Sequence, residues 1–208
     1  GHSQSFEPGI QVMRAAIASG HLGTLRAING INYTDWMYRP RHAAEFNRAQ
    51  GGGSVYRQAA HQIDIVRYLA GGSMPANVRA TIGDWDRTRR GGGAYSAFLE
   101  FAEGSVASLF YSGYDHLPGT ELSFGIGETG RRASYAHAIA RKQLAAGPRE
   151  AASKYSAGSR QAELIKPGEF PAFFGLVIAS CERGDVRLVP EGVQVLGDWG
   201  KTTIDIAG

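Results

Sequence analysis

Cysteine, long apolar runs and concentrated charge are all scarce in this 208-residue sequence. The single cysteine, Cys181, excludes an intrachain disulfide, and its apolar neighbours suit a buried thiol in a reducing compartment. No apolar run approaches the roughly 18 residues of a membrane span. Because a signal-like start is also missing, we expect a cytoplasmic protein that does not bind membranes.

Charge is nearly balanced, with a formal net charge of +3. The basic residues form short clusters, such as Arg39 and Arg41, without the interleaved aromatic side chains of single-strand binders, which disfavours nucleic-acid binding. The 43% hydrophobic and 20% charged residues are typical of a globular domain and exclude disordered and fibrous classes. We assign no metal site.

Period-two patterns dominate the middle of the chain. Strands are predicted over residues 25–36, 78–85, 94–101, 106–114 and 121–126, and helices over residues 9–19, 171–183 and 190–199 and after the glycines at 51–53. The close spacing of the later strands requires antiparallel hairpins, because a parallel return needs a long crossover. We therefore expect an α+β fold, one domain with a mostly antiparallel open sheet and helices packed on one face. Residues 131–159 are expected to form an exposed helix and loop.

The most informative stretch is the triple glycine at 51–53 and the predicted helix that follows it. At about 100° per residue, Arg57, His61 and Asp64 share one narrow stripe of that helix. A cation, an imidazole and a carboxylate in line are typical of a site. The alternative is a solvated face, opposite an apolar face that includes Val66, and the spacing alone leaves both open.

Residues 125–130 match the glycine pattern G-x-G-x-x-G after a predicted strand. A dinucleotide fingerprint also needs a second strand ending in an acid about 20 residues later. The corresponding region is polar and is interrupted by Pro148. The pattern therefore favours a glycine-bearing turn.

The order of helix, strand, Trp/Arg loop, triple glycine, His-bearing helix and antiparallel sheet resembles the C-terminal domain of the Gfo/Idh/MocA oxidoreductases. The specific signal is the family motif G-G-G-x-L-x-D-x-G-x-H-x-x-D, in which Val55, His61 and Asp64 occupy the Leu, His and final Asp positions. Residues 19–25 are similar to the family's G-x-(I/L)-G turn. The resemblance covers most of the chain and is weakest between residues 131 and 167.

This resemblance implies that residues 1–208 are a substrate-binding and oligomerisation domain. The Rossmann nucleotide domain and its lysine are expected outside this chain, so NAD or NADP would bind mainly there and the chain alone would be inactive. A homo-oligomer is expected through the open sheet face, with alternating apolar residues as its contacts. We expect these to be Phe98, Val106, Leu109 and Tyr111.

Two departures from the motif bear on the substrate. The catalytic Asp position of the family is Arg57, and the following Gly is Ala59. Because arginine grips carboxylates bidentately and cannot act as a base at neutral pH, we expect a small anionic substrate. Arg39 and Arg41 would complete the clamp beside Trp36; the alternative is that these are solvated loop residues with one buried indole.

Residues 35–40 and 53–58 are most similar to the dihydrodiol dehydrogenases of bacterial phthalate breakdown. The implied function is NAD(P)-dependent oxidation of a hydroxylated, carboxylate-bearing ring such as phthalate 4,5-dihydrodiol. His61 would be catalytic, binding or deprotonating the hydroxyl, and Asp64 would orient the imidazole. The alternatives are a sugar or polyol dehydrogenase domain of the same family, or a non-catalytic anion-binding or dimerisation module.

Overall fold

Eight strands and three α-helices make up the regular structure of the computed structural model, which describes residues 3–133, 137–146 and 168–206. The strands are β1 (Leu25–Tyr33), β2 (Pro75–Gly83), β3 (Ala94–Phe101), β4 (Val106–Ser112), β5 (Leu176–Cys181), β6 (Gly184–Val189), β7 (Gly192–Gly197) and β8 (Gly200–Ile204). The helices are α1 (Pro8–Ala18), α2 (Ala60–Leu69) and α3 (Ile139–Ala146). The bounds of α1 and β3 lie close to those expected from the sequence.

The strands form one open sheet in the order β2-β3-β4-β1-β5-β6-β7-β8. Every neighbouring pair is antiparallel except β1 and β4, which run parallel with Gly30 opposite Leu109. Strand β1 is therefore central, and its carboxyl end lies beside the carboxyl end of β4. The expected α+β fold with a mostly antiparallel open sheet is confirmed.

The hydrophobic core lies between the sheet and helices α1 and α2. Helix α1 begins with Pro8, which suits the first turn, and the chain turns away at Gly20 with φ of +76°. Ile10 and Met13 are buried against the sheet, where α1 contacts β6 and β7. Leu69 of α2 is likewise fully buried. Each such side chain contributes about 1.5–3 kcal/mol of burial free energy.

Two helices predicted near the C-terminus are wrong. Residues 171–175 lead into strand β5, and residues 190–199 contain strand β7. Both stretches are short apolar runs, and periodicity alone does not separate a buried strand from a buried helix. The β-branched side chains of Val193 and Val195 pack well on a pleated surface, and pairing with β6 decides the outcome.

The strand predicted over residues 121–126 is also wrong. A 3₁₀-helix spans Gly119–Ser123, and Phe124 follows it in the left-handed conformation with φ of 58°. Ile126 makes an isolated bridge with Arg132 instead of joining the sheet. Within the segment predicted as helix and loop, α3 is present; residues 134–136 and 147–159 lie outside the described residues.

The open face of the sheet carries only some of the apolar side chains assigned to it. Phe98 is 42% exposed on that face, and Val106 is half-buried there. Leu109 and Tyr111 are buried on the opposite, helix-covered face, so their assignment was wrong. Among the described helices, each is too short or too polar to cross a lipid bilayer.

Candidate functional site

Close backbone packing requires two of the three glycines, Gly52 and Gly53. Gly53 has φ of +93°, and a Cβ there would lie 2.3 Å from the carbonyl oxygen of Gly91. A Cβ on Gly52 would lie 2.6 Å from the carbonyl oxygen of Ala44. Ser54 is fully buried, and its hydroxyl donates a hydrogen bond to the carbonyl oxygen of Gly92. These contacts fix the start of the helix against the loop between β2 and β3.

A π-helical turn, Val55–Ala59, joins this start to α2. Such turns occur often at functional sites. The spacing argument assumed an α-helix throughout, so it applies within α2 to His61 and Asp64 but not across the π turn to Arg57. In the structure Arg57 is exposed, whereas His61 and Asp64 are half-buried.

His61 is held between α2 and the segment that precedes β5. Its ring lies 5.3 Å from the ring of buried Phe174, and its Nδ1 atom is buried. The neighbouring side chain of Gln62 accepts a hydrogen bond of 2.5 Å from the Tyr95 hydroxyl. Because Gln62 is 1% exposed and Tyr95 4%, this bond ties α2 to strand β3 in the core. The imidazole therefore has a defined position.

Asp64 lies one turn beyond His61 on α2. Its Oδ2 atom is buried, and no hydrogen bond joins it to another group in the part of the chain that the structure describes. The proposed orientation of the His61 imidazole by Asp64 therefore stays a prediction.

A small polar cavity, here called the β1 pocket, lies at the carboxyl end of β1. Its volume is about 40 Å³. Phe173 and Gly175, on either side of the residue that contacts His61, both line it. Its polar and charged lining comprises Asn32, Tyr33, Thr34, Asp35, Arg39, Asp115, Thr120, Ser123 and Glu128.

Arg39 lies in the β1 pocket and binds Asp35. Its Nε donates a hydrogen bond of 2.5 Å to Asp35 Oδ1. Burial disfavours the charged guanidinium, but the charges of Asp35 and Glu128 outweigh it, so the pKa of Arg39 lies above its ordinary value. Burial also raises the pKa of Asp115, and the nearby charge of Asp35 adds to this effect.

Arg41 and Trp36 pack together outside the lining of the β1 pocket. Trp36 is 1% exposed and meets Phe46 edge-on with ring centroids 5.8 Å apart. The guanidinium of Arg41 lies 4.4 Å above the indole and binds Glu45 at 3.1 Å. Burial and the neighbouring charge of Arg39 lower the pKa of Arg41. The buried indole agrees with the alternative stated for Trp36.

The predicted site residues are thus only partly brought together. Arg39 and Arg41 are neighbours that each bind a carboxylate, whereas Arg57 is exposed on the π turn and takes part in neither of these ion pairs. Of the polar residues that line the β1 pocket, the sequence reasoning assigned only Arg39 to the site and missed Asn32, Tyr33, Thr34, Asp35, Asp115, Thr120, Ser123 and Glu128. Only Asn32 could have been found from the sequence. It lies two and four positions after Gly30 and Ile28, so the alternation of β1 places it on the same buried face.

The described residues form neither a dinucleotide-binding turn nor a metal site. Residues 125–130 form a turn in which the Gly127 amide donates to the Arg131 carbonyl, and no strand-to-helix turn of the dinucleotide-binding kind is built from them. In the described ranges, no three His, Cys, Asp or Glu side chains are placed to hold a metal ion.

Comparison with known proteins decides the family. The sequence profile of the GFO/IDH/MocA C-terminal domain matches residues 10–130, more than half of the chain. The chain belongs to this family. A relative from Comamonas testosteroni, 1-carboxy-3-chloro-3,4-dihydroxycyclohexa-1,5-diene dehydrogenase, is 36% identical over 206 residues, covering 95% of this chain and 52% of its own length.

Solved structures agree with this membership. A protein from Bordetella bronchiseptica RB50 that is described as a dehydrogenase superposes with a TM-score of 0.91 at 35% identity, covering 99% of this chain and 54% of its own. Levoglucosan dehydrogenase in complex with NADH and levoglucosan gives a TM-score of 0.61 at 16% identity, over 98% of this chain and 45% of its own, and shows the shared fold. The chain spans about half the length of these relatives.

Proposed function

We propose that this chain is the substrate-binding part of an NAD(P)-dependent dehydrogenase that oxidises a carboxylated cyclic dihydrodiol. The observation that carries the proposal is the 36% identity, over nearly the whole chain, to a dehydrogenase named for such a substrate. Phthalate 4,5-dihydrodiol, a dicarboxylate, is the specific substrate we propose. A ring with a single carboxylate is the nearest competitor.

His61 is the residue to which we assign the reacting hydroxyl. Its imidazole is half-buried and packs against Phe174, and the bond between Gln62 and Tyr95 ties the helix that carries it to the sheet. An imidazole in such a position can accept the proton that the hydroxyl loses on oxidation.

Arg57 is the residue to which we assign the substrate carboxylate. Arg39 and Arg41 each already bind a carboxylate of the chain, whereas Arg57 is exposed on the π turn before His61. A guanidinium in that position can bind a carboxylate bidentately.

The cofactor would be NAD or NADP, bound mainly by a part of the protein outside this chain. Two neighbours of the same fold were solved with NAD⁺ or NADH. The described residues present no glycine-rich turn from a strand into a helix, so we derive no step of the reaction from contacts of this chain with the cofactor. On this proposal the 208-residue chain alone shows no turnover.

The full-length protein tests this function. Purified enzyme is assayed with NAD⁺ and NADP⁺ against phthalate 4,5-dihydrodiol, a monocarboxylated dihydrodiol, inositol and glucose. We expect the highest kcat/KM with a carboxylated dihydrodiol. Turnover of only glucose or inositol would instead support a polyol dehydrogenase, and no turnover of any of them a non-catalytic binding module.

Two substitutions test the assigned roles. His61→Ala is expected to lower kcat by roughly 100-fold or more, the usual contribution of a general base.

Arg57→Ala is expected to raise KM for a dicarboxylate roughly 10-fold to 100-fold through loss of a charge-assisted hydrogen bond. Arg87→Ala, at another exposed arginine, is the matched control and should change neither constant. An unchanged KM in Arg57→Ala would refute the carboxylate assignment.

A sugar or polyol substrate is the second candidate because the β1 pocket carries three carboxyl groups, on Asp35, Asp115 and Glu128. Carboxylates accept hydrogen bonds from hydroxyl groups. The same observation is compatible with a dihydrodiol, whose hydroxyls could enter this pocket while its carboxylate remains at Arg57. The substrate comparison above separates the two.

We also propose that the protein forms a homo-oligomer through the open face of the sheet. Phe98 is exposed there, and Ile31, Phe110 and Ile178 are half-buried on the same face. Helices α1 and α2 pack on the opposite face, and contiguous exposed apolar side chains mark association surfaces.

A further inference from the structure

Asn32 is a buried amide that lacks a hydrogen-bond partner. The residue is 3% exposed on the helix-covered face of β1, and its Nδ2 atom makes no hydrogen bond within the described ranges. Leaving a buried donor unsatisfied costs about 1–3 kcal/mol. Such groups are normally bonded to protein, ordered water or a ligand. No described protein atom accepts a hydrogen bond from Asn32 Nδ2, so its acceptor must come from a ligand or an ordered water.

The surroundings of Asn32 favour a neutral ligand that both donates and accepts hydrogen bonds. It lines the β1 pocket with three carboxyl groups and one guanidinium. Because Arg39 is neutralised by Asp35, the remaining carboxyls of Asp115 and Glu128 oppose an anion. A hydroxyl group can bind both kinds of partner, since its oxygen accepts a hydrogen bond from an amide while its proton is donated to a carboxylate.

The size of the β1 pocket limits which part of a ligand can enter it. Its volume of about 40 Å³ is a few times the roughly 10–15 Å³ that one water needs. Pockets that enclose a whole drug-sized ligand measure about 300–1,000 Å³. There is therefore room for two hydroxyl groups on the edge of a ring, with the ring itself outside.

The β1 pocket adjoins the position of His61. Phe173 and Gly175 line the pocket, and Phe174 between them packs against the imidazole. A Cβ on Gly175 would lie 2.7 Å from the Cβ of Asn32, so glycine is what lets this segment approach the strand. One three-residue segment thus packs against both the imidazole of His61 and the Cβ of Asn32.

We propose that the β1 pocket is a subsite for the vicinal hydroxyl groups of a cyclic diol and that Asn32 is its specificity-determining residue. Asn32 Nδ2 donates to one hydroxyl oxygen, and the carboxyl group of Asp115 or Glu128 accepts a hydroxyl proton. This subsite rests on the proposed function only for the choice of a cyclic diol as the ligand, and it involves no covalent step.

Protein-observed NMR of the 208-residue chain tests the subsite without turnover. The side-chain amide signals of Asn32 are identified by their loss in Asn32→Leu and followed during titration with cis-1,2-cyclohexanediol or phthalate. We expect the diol to shift these signals and phthalate to leave them in place. Asn32→Leu should weaken diol binding about threefold to tenfold, the effect of one hydrogen bond.

Two further variants keep the test specific. Asn32→Asp preserves the size of the side chain, removes the donor and should also weaken diol binding, which covers the case in which Asn32→Leu does not fold. Asn29→Leu changes an exposed asparagine on the same strand and should leave diol binding unchanged.

Signals of Asn32 that respond to phthalate instead of the diol would overturn the proposal in favour of a carboxylate subsite. Signals that respond to neither probe would overturn it in favour of ordered water. If the diol shifts them while full-length enzyme oxidises no carboxylated dihydrodiol, the subsite stands and the proposed function fails. If the enzyme does oxidise one and Asn32→Leu leaves its KM unchanged, the subsite fails and the proposed function stands.

Discussion

At the scale of single residues, the arginines that follow β1 are defined by their partners. Arg39 binds Asp35 and Arg41 binds Glu45, both at i,i+4 spacing and both largely buried. From the sequence we expected both arginines to be available to bind a carboxylate of the substrate. Their local carboxylates change that expectation, since a paired guanidinium must give up or share its partner before it binds another anion. Arg57 has no ion pair among the described residues.

Asp86 provides a prediction about pH at the same scale. Hydrogen bonds from Thr88 and from the Tyr38 hydroxyl lower its pKa from the ordinary 3.8 to about 2. A carboxylate with a depressed pKa stabilises the fold above its unfolded-state pKa and loses that contribution as pH falls through the folded-state value. Stability should therefore decline between about pH 4 and pH 2, and less steeply in Asp86→Asn, as measured by urea unfolding at a series of pH values.

An equally steep decline in Asp86→Asn would show that other groups dominate acid unfolding. Asp198→Asn, at an exposed carboxylate between β7 and β8, serves as the matched control, and it should leave the slope between pH 4 and pH 2 as it is in the parent chain.

At the scale of elements, the placement of α2 on the sheet depends on a buried polar contact. The Tyr95 hydroxyl and the Gln62 amide bond to each other, and Gln62 Nε2 also reaches the carbonyl oxygen of Phe110 at 3.4 Å. Helix periodicity placed Val66 on the apolar face, where it is 1% exposed, but did not place the equally buried Ile65 there. It carried no information about where along the strands the helix would rest, because that is set by a partner 33 residues away.

The two partners of this contact should be coupled in their effect on stability. Tyr95→Phe leaves the buried Gln62 oxygen unsatisfied and should lower the free energy of unfolding by about 1–3 kcal/mol. In Gln62→Leu/Tyr95→Phe the loss should be smaller than the sum of the single losses. Chemical denaturation of the four proteins measures the coupling, and additive losses would argue against a direct contribution of the bond.

Gly175 gives a second prediction about elements, because it controls how the chain enters β5. It has φ of +76°, and a Cβ there would lie 2.3 Å from the carbonyl oxygen of Ile31. Gly175→Ala should therefore destabilise the protein through both backbone strain and a clash with β1. Gly20 has the same φ of +76° with nothing within 4 Å, so Gly20→Ala isolates the strain, about 1–2 kcal/mol.

Thermal and chemical unfolding of the two alanine variants compare these costs. Gly175→Ala should lose clearly more stability than Gly20→Ala. Equal losses would mean that β1 and the segment before β5 separate easily enough to accommodate the methyl group.

At the scale of the whole molecule, the parallel pairing of β1 and β4 organises the candidate site. It brings Tyr111 at the end of β4 beside the end of β1, where its hydroxyl lies 2.7 Å from Thr34 Oγ1. The segment before β5 then closes the same end of the sheet. The β1 pocket is thus built from three parts of the chain, residues 32–39, 115–128 and 173–175, and no local pattern predicts it.

The open sheet face gives a prediction about assembly. Phe98→Lys places a charge on that face and should shift an oligomer towards monomer, as measured by analytical ultracentrifugation over a range of concentrations. Val78→Lys is the matched control, since Val78 is 63% exposed on β2 but pairs with buried Leu99 and so points to the other face. An unchanged sedimentation profile for Phe98→Lys would argue against this interface.

The sequence by itself determined the family, the α+β class, helix α1, strand β3 and the His-bearing helix, because these depend on local periodicity, glycine positions and a contiguous motif. The tertiary structure alone decided that the apolar runs near residues 177 and 193 are strands, that Leu109 and Tyr111 belong to the core, and that Arg39 has its own carboxylate. It also placed Asn32 beside Gly175. Strand pairing, the side of the pleat that is covered and the burial of polar groups arise from contacts between distant residues, which local spacing does not encode.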